Sequence, residues 1–425
     1  MNDAAKTSGI EPRQVAVRMM DAVIEDGKLM SELSGLTDKL AASDRARAQR
    51  LAMTTLRHLD KADRVLKPYL KKQPPDPVMN VLRLATVELC AEGEADHGVV
   101  NAAVTMVGKI PRAQHLKGLA NAVLRKVAKD GPQRWTELPA ARMPNWLRKP
   151  LSHAYGKLTI NAMEAVSANA TPLDITVKDN PQAWAEKLGG EVLPTGSVRL
   201  ASAGQVSALE GFDQGAWWVQ DAAAALPVKL LAPQKGEKIA DFCAAPGGKT
   251  MQMAAAGADV TAIDLSKKRM DRVAENLSRV GMTADLRVED ALSITDSFDA
   301  ILLDAPCSAT GTMRRHPDLP YAKDGSDFGT LIQLQSDLLD HGLSLLKSGG
   351  RMVFCTCSLL PDEGECHIDD LLERRQDVTV DRDALAQDGI DPAWVSSEGG
   401  LRLRPDFWAE KGGMDGFYMV VLRKT

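Results

Sequence analysis

The chain has 425 residues and an ordinary globular composition, with 44% hydrophobic and 26% charged residues and a net charge of −5. This length exceeds what one hydrophobic core supports, so two or three domains are expected. The polar amino terminus, the lack of a long apolar stretch and the six cysteines exclude a signal peptide, a membrane span and a disulfide framework. The sequence therefore predicts a protein of the reducing cytoplasm with no membrane association.

Charge is distributed unevenly along the chain. Residues 1 to 150 contain 25 Lys and Arg against 17 Asp and Glu, a balance of +8, whereas the remaining residues have a balance of −13. A basic first part joined to an acidic remainder favours a polyanion as the partner of the first part. The alternative is that the positive balance describes only a solvated surface.

The first part of the chain is predicted to be helical. Its clearest helix spans His115–Lys129, where apolar residues recur with the period of one helix face, and Gly131-Pro132 is predicted to end it. Ser43 is predicted to cap another helix, which runs from Asp44 to about Leu59. These helices make up a predicted all-α domain, residues 1–131.

Three segments of this domain are similar to the NusB-like RNA-binding helical domain: Pro12-Arg13-Gln14-Val15-Ala16, Ser43-Asp44-Arg45-Ala46-Arg47 and Asn121-Ala122-Val123-Leu124-Arg125. The resemblance implies that the domain binds RNA. A basic cluster is predicted to contact RNA phosphates, which would position RNA without reading its sequence. The members of this cluster are Arg45, Arg47, Arg50 and Arg57. The alternative is a helical bundle whose charged faces only keep it soluble.

The middle of the chain, residues 132–225, is predicted to be a linker and a small α+β subdomain. Leu173–Val177 alternates apolar and polar residues like a strand, and Trp217–Val219 is typical of a second strand. Trp184–Leu188 is typical of a short helix. No residue pattern in this segment indicates chemistry of its own.

From Lys235 onward strands alternate with helices, which is the pattern of a doubly wound, Rossmann-like α/β domain, here residues 226–425. In such a domain ligands bind beyond the carboxyl ends of the parallel strands. The predicted strands are Glu237–Phe242, Asp259–Ile263, Ala284–Val288, Phe298–Leu303 and Arg351–Cys355, followed by a pair at about Leu401–Arg404 and Gly416–Leu422.

The first of these strands ends in a loop with two adjacent glycines, Asp241-Phe242-Cys243-Ala244-Ala245-Pro246-Gly247-Gly248-Lys249-Thr250. Glycines at a strand-to-helix turn let the backbone approach a ligand closely. A P-loop is excluded because it needs a glycine six residues before its Lys, where this chain has Cys243, and the dinucleotide fingerprint is absent. S-adenosylmethionine, a nucleoside without phosphates, fits better, since Asp264 follows Asp241 by 23 residues and the related spacing in dinucleotide folds is about 20. Asp290 closes the third strand, where an acid can meet the adenine.

Two later strands are followed by thiols. Asp304 and Cys307 follow Phe298–Leu303, and Cys357 follows Arg351–Cys355. An acid and two thiols beside a nucleoside loop suit attack on a pyrimidine, in which a thiolate adds to ring carbon 6, carbon 5 takes a methyl group, and the thiolate is eliminated. The residues alone do not rank the two cysteines.

Other roles for cysteine are weaker interpretations. Cysteines in buried strands are most often inert small hydrophobic residues, which is the interpretation for Cys90, Cys243 and Cys355. A zinc site would need paired ligands at short spacing. The candidate ligands are Cys355, Cys357, Cys366 and His367. They lack that spacing, so no metal is expected.

The motifs of the second half are similar to the RsmB/NOP family of RNA 5-methylcytosine methyltransferases. The similar segments are the loop 241–250, Asp304-Ala305-Pro306-Cys307-Ser308-Ala309-Thr310-Gly311, Arg315-His316-Pro317-Asp318 and Thr356-Cys357-Ser358. The resemblance spans about residues 217–423 and implies a Rossmann-like S-adenosylmethionine-dependent methyltransferase. It implies that Cys357 is the nucleophile and Cys307 assists release. It also implies that Asp304 contacts the cofactor and the target base, and that Lys249 orients the base.

The same resemblance implies which residues hold S-adenosylmethionine: Cys243, Ala244, Ala245, Pro246, Gly247, Gly248, Lys249, Asp264, Asp290 and Asp304. With the NusB-like part, it implies a monomer that methylates 16S rRNA, either protein-free or at an early stage of assembly. The alternatives are a tRNA cytosine-5 methyltransferase, a small-molecule methyltransferase and a catalytically idle RNA-binding assembly factor. The basic helical domain disfavours the first two, and the two thiols disfavour the third. Pro320-Tyr321-Ala322-Lys323 replaces the usual Trp and basic residue of the family, which leaves the rRNA target open.

Overall fold

A computed structural model describes residues 9–202 and 204–425. The described residues form two compact units. The first unit runs up to Asn169 and also contains Met313–Asp324, whereas the second contains Ala170–Thr312 and Gly325–Thr425. The division therefore falls at other points than the predicted domain boundaries after residues 131 and 225.

The first unit is helical, as the sequence predicts. In addition to the short helix Leu319–Ala322, its helices are α1 (Ile10–Ile24), α2 (Ala42–Arg57), α3 (Leu59–Leu66), α4 (Asp76–Cys90), α5 (Asp96–Val107), α6 (Lys117–Glu137), α7 (Asn145–Tyr155) and α8 (Lys157–Ser167). Helix α4 is the centre of the unit, because every residue from Val78 to Leu89 is buried. The charge of Glu88, buried in this helix, is paired with Arg13 of α1 at 2.7 Å.

Two predicted helix boundaries in this unit are wrong. Helix α6 continues through Gly131-Pro132 to Glu137, because Trp135 is buried in the core and prolongs the apolar face that contains Val127. Gly131 lies against Cys90, whose sulfur would be 2.8 Å from an added Cβ, so the glycine allows a close helix contact here. Helix α2 begins at Ala42 and its N-cap residue is Ala41, two residues before the predicted cap Ser43.

The segment Met313–Asp324 belongs to the helical unit although it follows the thiol motif of the second half in sequence. Tyr321 packs against the apolar core of the helices. The segment also bonds to the unit through polar atoms: Asp318 Oδ2 accepts from the backbone N of Met30 at 2.8 Å, and the indole of Trp146 donates to the carbonyl of Pro320 at 2.9 Å. The motif Arg315–Asp318 therefore serves this unit.

The second unit begins with a small antiparallel sheet. Its elements are β1 (Leu173–Val177), α9 (Pro181–Leu188), β2 (Glu191–Val192), β3 (Val198–Leu200) and β4 (Trp217–Val219), and the strand order is β2-β3-β1-β4. A buried ion pair between Asp174 and Arg199 at 2.7 Å links neighbouring strands of this sheet. Arg199 also donates to the carbonyl of Gly413 at 2.7 Å, which joins the small sheet to the rest of the unit.

The main sheet of the second unit is the predicted doubly wound α/β sheet. Its strands are β5 (Lys238–Phe242), β6 (Asp259–Asp264), β7 (Asp285–Val288), β8 (Phe298–Asp304), β9 (Leu346–Thr356), β10 (Val378–Val380), β11 (Leu401–Leu403) and β12 (Phe417–Lys424). The helices of this part are α10 (Ala222–Leu231), α11 (Gly248–Ala255), α12 (Lys267–Val280), α13 (Phe328–Leu345) and α14 (Glu365–Arg374).

The order of these strands is β10-β12-β9-β8-β5-β6-β7, with β11 paired to β12. The five strands from β9 to β7 are parallel, and β12 is antiparallel to β9. The carboxyl ends of the parallel strands therefore lie along one edge of the sheet, where ligands of such folds bind. No helix in the described part of the chain is long and apolar enough to cross a membrane.

Candidate active site

The predicted site residues follow the carboxyl ends of neighbouring parallel strands. Strand β5 lies between β6 and β8, and β9 pairs with β8 on the far side. Asp241, Asp264 and Asp304 are located at the ends of β5, β6 and β8, and Cys357 directly follows β9. Motifs that are far apart in sequence thus lie at one edge of the sheet, because the strands that they follow are parallel.

The loop after β5 is held against β6 by its backbone. Ala244 N donates to the carbonyl of Ile263 at 3.1 Å, and Ala245 N donates to Asp264 Oδ2 at 3.3 Å. The other carboxylate oxygen of Asp264 accepts from Arg269 at 2.9 Å. Gly247 has φ = 98° and precedes the first residue of α11, so the chain turns into the helix through a conformation that glycine adopts freely.

Burial shifts the ionisation of two groups at this loop. Asp241 is fully buried, and burial raises its pKa to about 7 even though Thr250 Oγ1 donates to its Oδ2 at 2.5 Å. Its Oδ1 has no hydrogen-bond partner among the described residues. Burial, assisted by the acids Asp304 and Asp264, raises the pKa of the Cys243 thiol to about 12. Cys243 is therefore a neutral thiol at physiological pH.

Lys249 and Asp304 form an ion pair at the centre of the site, with 2.7 Å between Nζ and Oδ2. Burial alone would lower the pKa of Lys249, but the charge of Asp304 and its hydrogen bond outweigh burial and raise it. The Lys249 ammonium also lies 5.4 Å from the centre of the Phe417 ring. The thiol of Cys355, behind the pair, donates to the other oxygen of Asp304 at 3.5 Å. Asp304 is thus held from two sides.

The two thiols singled out from the sequence lie next to each other, with 3.4 Å between the sulfur atoms of Cys307 and Cys357. The hydrogen bond to Cys357, together with burial, raises the pKa of Cys307 well above its ordinary value. The two loops are also joined through the backbone, since Gly311 N donates to the carbonyl of Cys357 at 2.9 Å. A Cβ on Gly311 would lie 1.9 Å from the carbonyl oxygen of Gly416, so this approach requires glycine.

A buried polar cluster behind the thiols was not predicted. Its centre is Glu363, which is fully buried and accepts hydrogen bonds from Ser308 and Gln335. The hydroxyl of Ser358 lies 3.3 Å from that of Ser308. A sequence signal existed, because Ser308 and Ser358 directly follow the two cysteines, but an isolated Glu in a loop gives no sign of burial.

The side-chain bonds of Asp290 and of the predicted basic cluster of α2 lead to residues other than the site residues described above. Asp290 is exposed, and its Oδ1 accepts from Leu292 N at 3.0 Å, so it caps the turn after β7. On α2, Arg45 is exposed and Arg47 half-buried, and Arg50 pairs with Glu92 at 2.6 Å. Contact of these residues with cofactor or RNA stays a prediction.

Arg57 does not fit the predicted phosphate cluster. Its guanidinium is largely buried and donates to the carbonyls of Ser167 at 2.8 Å and Arg314 at 2.6 Å. Burial, with the nearby charge of Arg314, lowers its pKa to about 10. Because its Nη1 bonds two backbone oxygens within the helical unit, Arg57 serves packing rather than a solvent-facing phosphate contact.

The acids at the strand ends fit S-adenosylmethionine. Asp241, Asp264 and Asp304 place carboxyl oxygens along this edge, and such acceptors suit ribose hydroxyls and a sulfonium cation better than a phosphate ligand. The unpaired buried oxygen of Asp241 gives a further polar atom at the loop. In the described part of the chain, no group of three or more His, Cys, Asp and Glu side chains is arranged to hold a metal ion. His367 of the zinc alternative instead bonds Gln335 at 2.8 Å.

The chain matches known families in both halves. Residues 228–423 match a family model described as 16S rRNA methyltransferase RsmB/F, and residues 10–129 match the NusB family. A relative from Escherichia coli O6:H1, named ribosomal RNA small subunit methyltransferase B, is 36% identical over 395 residues. This similarity covers 87% of the chain and 91% of the relative, so it extends across both units.

Solved structures share the fold. PH0851 superposes with a TM-score of 0.74 at 21% identity, covering 97% of this chain and 99% of that one. A methyltransferase homolog protein from Pyrococcus horikoshii gives 0.55 at 27% identity, with coverages of 65% and 94%. NSun6 from Pyrococcus horikoshii, solved with SFG, gives 0.57 at 19% identity, with coverages of 66% and 98%. The chain therefore belongs to the RsmB/F family of 16S rRNA methyltransferases, and its methyl donor is S-adenosylmethionine.

Proposed function

We propose that the protein methylates carbon 5 of a cytosine in 16S rRNA through a covalent bond between Cys357 and ring carbon 6. The observation that carries the proposal is the pair of thiols 3.4 Å apart, at the strand edge that also holds Asp304. Methylation of a ring nitrogen or a ribose oxygen needs no thiol nucleophile. Two adjacent thiols beside a cofactor loop therefore favour carbon 5 chemistry.

The first step is addition of the Cys357 thiolate to ring carbon 6. A bond forms between sulfur and carbon, and the electron pair of the carbon 5–carbon 6 double bond moves into the ring, which makes carbon 5 nucleophilic. The neutral thiol of Cys307 stabilises the attacking thiolate by donating a hydrogen bond to it. S-adenosylmethionine, when bound, supplies the electrophilic methyl group that carbon 5 takes.

Release reverses the addition. The proton on carbon 5 leaves to a base, the double bond re-forms, and the bond between carbon 6 and sulfur breaks, which returns Cys357 as a thiolate. Cys307 assists this step, because its thiol hydrogen is within hydrogen-bond reach of the departing sulfur. A protein without Cys307 should therefore accumulate the covalent complex.

Asp304 and Lys249 orient the base and balance charge. The Lys249 ammonium is a buried cation, so it stabilises the negative charge that the ring acquires during attack, and Asp304 holds it in place. We assign the cofactor to the loop Cys243–Lys249, with Asp264 and Asp290 on the adjoining strand ends. Asp304 contacts both the cofactor and the base.

The substrate we propose is 16S rRNA before its assembly with protein, bound by the protein as a monomer in the cytoplasm. The relative from Escherichia coli is named for the small-subunit RNA. The NusB-family match and the exposed arginines of α2 supply a helical unit that can bind RNA phosphates.

The test is a covalent trap. Cys307→Ala protein is incubated with S-adenosylmethionine and protein-free 16S rRNA, and a denaturing gel is examined for an RNA–protein band. We expect a band that is lost in Cys307→Ala/Cys357→Ala and kept in Cys307→Ala/Cys366→Ala, where an exposed cysteine outside the site is removed instead. Sequencing of the trapped RNA then gives the target cytosine.

Each alternative predicts a different result. A band with tRNA but not with rRNA would keep the chemistry and refute the substrate. No band with either RNA, together with no methyl transfer by the wild type, would refute the proposed chemistry and favour the idle assembly factor.

A further inference from the structure

A buried acid joins the two thiol-bearing loops. Glu363 lies between β9 and α14 and has no exposed surface. Its Oε1 accepts from Ser308 N at 2.8 Å and from Gln335 Nε2 at 3.0 Å, and its Oε2 accepts from the hydroxyl of Ser308. All of these donors are neutral groups. No cation among these donors balances the carboxyl group, which lies beside the residue that follows Cys307.

The backbone of the same residue reaches the other loop. The carbonyl of Glu363 accepts from Thr356 Oγ1 at 2.7 Å, and Thr356 immediately precedes Cys357. Ser308 and Ser358, the residues that follow the two cysteines, are 3.3 Å apart at their hydroxyls. One residue thus forms hydrogen bonds with both loops.

We propose that Glu363 is a positioning residue that fixes the distance between Cys307 and Cys357 and, through its buried charge, keeps Cys307 as the protonated member of the pair. This inference rests on the proposed function, because it concerns which thiol acts as nucleophile. A negative charge beside one of two coupled thiols directs the thiolate to the other. Glu363 would then determine which of the two thiols is the nucleophile and which stays protonated.

The charges around the thiols act in the same direction. Beyond the hydrogen bond to Cys357 and burial, the charge of Glu363 also raises the pKa of Cys307. On the other side, burial would lower the pKa of Lys249, but Asp304 raises it, with smaller contributions from Cys355 and then Cys357. The charge of Glu363 thus disfavours a thiolate on Cys307.

The first test needs neither RNA nor cofactor. Full-length wild type and Glu363→Gln are treated briefly with iodoacetamide, which reacts with the thiolate, and labelling of the two cysteines is quantified by peptide mass spectrometry. We expect faster labelling of Cys357 in the wild type and a rise of about tenfold in the Cys307-to-Cys357 ratio in Glu363→Gln, which corresponds to one pKa unit. A ratio within about twofold of the wild type would overturn the proposed charge effect.

The second test isolates the positioning effect. In the Cys307→Ala background, Glu363→Gln should slow covalent trapping on rRNA by about tenfold while the RNA dissociation constant is unchanged, because only Cys357 is displaced. Glu398→Gln is the matched control: Glu398 is also buried, but it bonds Ser396 and Tyr418 rather than the thiol loops. Its trapping rate should equal that of the Cys307→Ala parent.

Glu363→Asp separates the effect of the charge from the effect of the side-chain position. It also replaces the Gln variant as the test if Glu363→Gln fails to fold. It keeps the charge but shortens the side chain, so the labelling ratio should resemble the wild type whereas trapping is slowed. Trapping at the parental rate in Glu363→Asp would overturn the positioning role. If the Cys307→Ala parent itself forms no adduct, the proposed function fails, and the labelling ratio still tests the effect of Glu363 on the thiols.

Discussion

Replacement of Lys249 by Met tests the ion pair at the centre of the site. Lys249→Met removes the ammonium but keeps an apolar chain of similar length, which can pack against the Phe417 ring now 5.4 Å from Nζ. The carboxylate of Asp304 is left without its cation in a largely buried position. Because the pKa of Lys249 is raised, the pair is intact below the ordinary lysine pKa of about 10.4, so an assay at neutral pH measures the full effect.

The magnitude follows from burial. Removing one partner of a buried ion pair typically costs about 3–5 kcal/mol. The Asp304 side chain is 28% exposed and Lys249 only 10%, so water can partly compensate Asp304, and we expect about 3 kcal/mol for Lys249→Met. For a unit of this size that corresponds to a fall in Tm of about 6–12 °C. Asp304→Asn, which strands the more deeply buried Lys249, should cost more.

The double variant decides the interpretation. Lys249→Met/Asp304→Asn leaves no unpaired charge, so it should be about as stable as Lys249→Met or more stable. We expect it to transfer no methyl group, because both residues that we propose to orient the base are replaced. Calorimetry of the wild type, the two single variants and the double variant gives the coupling free energy between Lys249 and Asp304. Arg351→Met is the matched control for breaking an ion pair away from the site. Arg351 pairs with Glu237 at a similar burial, but Glu237 precedes β5 and lies at the opposite end of the strands from the site. If the single costs simply add in the double variant, the ion pair is not the source of the stability loss.

Four further variants address other features of the structure. Asp241→Asn should flatten the pH dependence of stability. Because burial raises the pKa of Asp241 to about 7, the wild-type residue contributes up to about 4 kcal/mol of stability that is present below pH 4 and lost as the pH rises to 7. Stability curves of the two proteins that run parallel with pH in calorimetry would contradict this. Arg57→Ala should lower the Tm of the helical unit without changing the salt dependence of rRNA affinity. Arg45→Ala should instead reduce the slope of log affinity against log salt concentration by about 1, and filter binding at several salt concentrations measures this slope for both variants. Gly311→Ala should abolish trapping in the Cys307→Ala background, because its Cβ would meet the Gly416 carbonyl at 1.9 Å; an unchanged trapping rate would refute the close approach of the loops.

The main features of the site were predictable because they depend on strand order and local motif. The apolar run before Asp304 is long enough to specify a buried parallel strand, and parallel strands bring their carboxyl ends together. That argument places Asp264 and Cys357 at the same edge without any knowledge of distances. It cannot give the 3.4 Å between the sulfur atoms, which depends on the approach of two loops.

The remaining features depend on contacts between residues far apart in sequence. Pro132 predicts a helix end, but burial of Trp135 favours continuation of the helix, and a local rule cannot weigh that burial. Arg57 resembles its neighbours on α2 until its carbonyl partners are known. Glu363 is one of many acids in the sequence, and only the fold shows that it is buried behind the two thiols and bonded to both loops.

The segment Met313–Asp324 has a consequence for any attempt to separate or exchange the NusB-like part. The chain leaves the catalytic unit after Thr312, completes the helical unit and returns at Gly325. A helical fragment ending at Asn169 would lack Tyr321 from its core, and a catalytic fragment starting at Ala170 would carry an apolar loop with nothing to cover it. A graft of the helical unit from a relative would therefore have to transplant both stretches together.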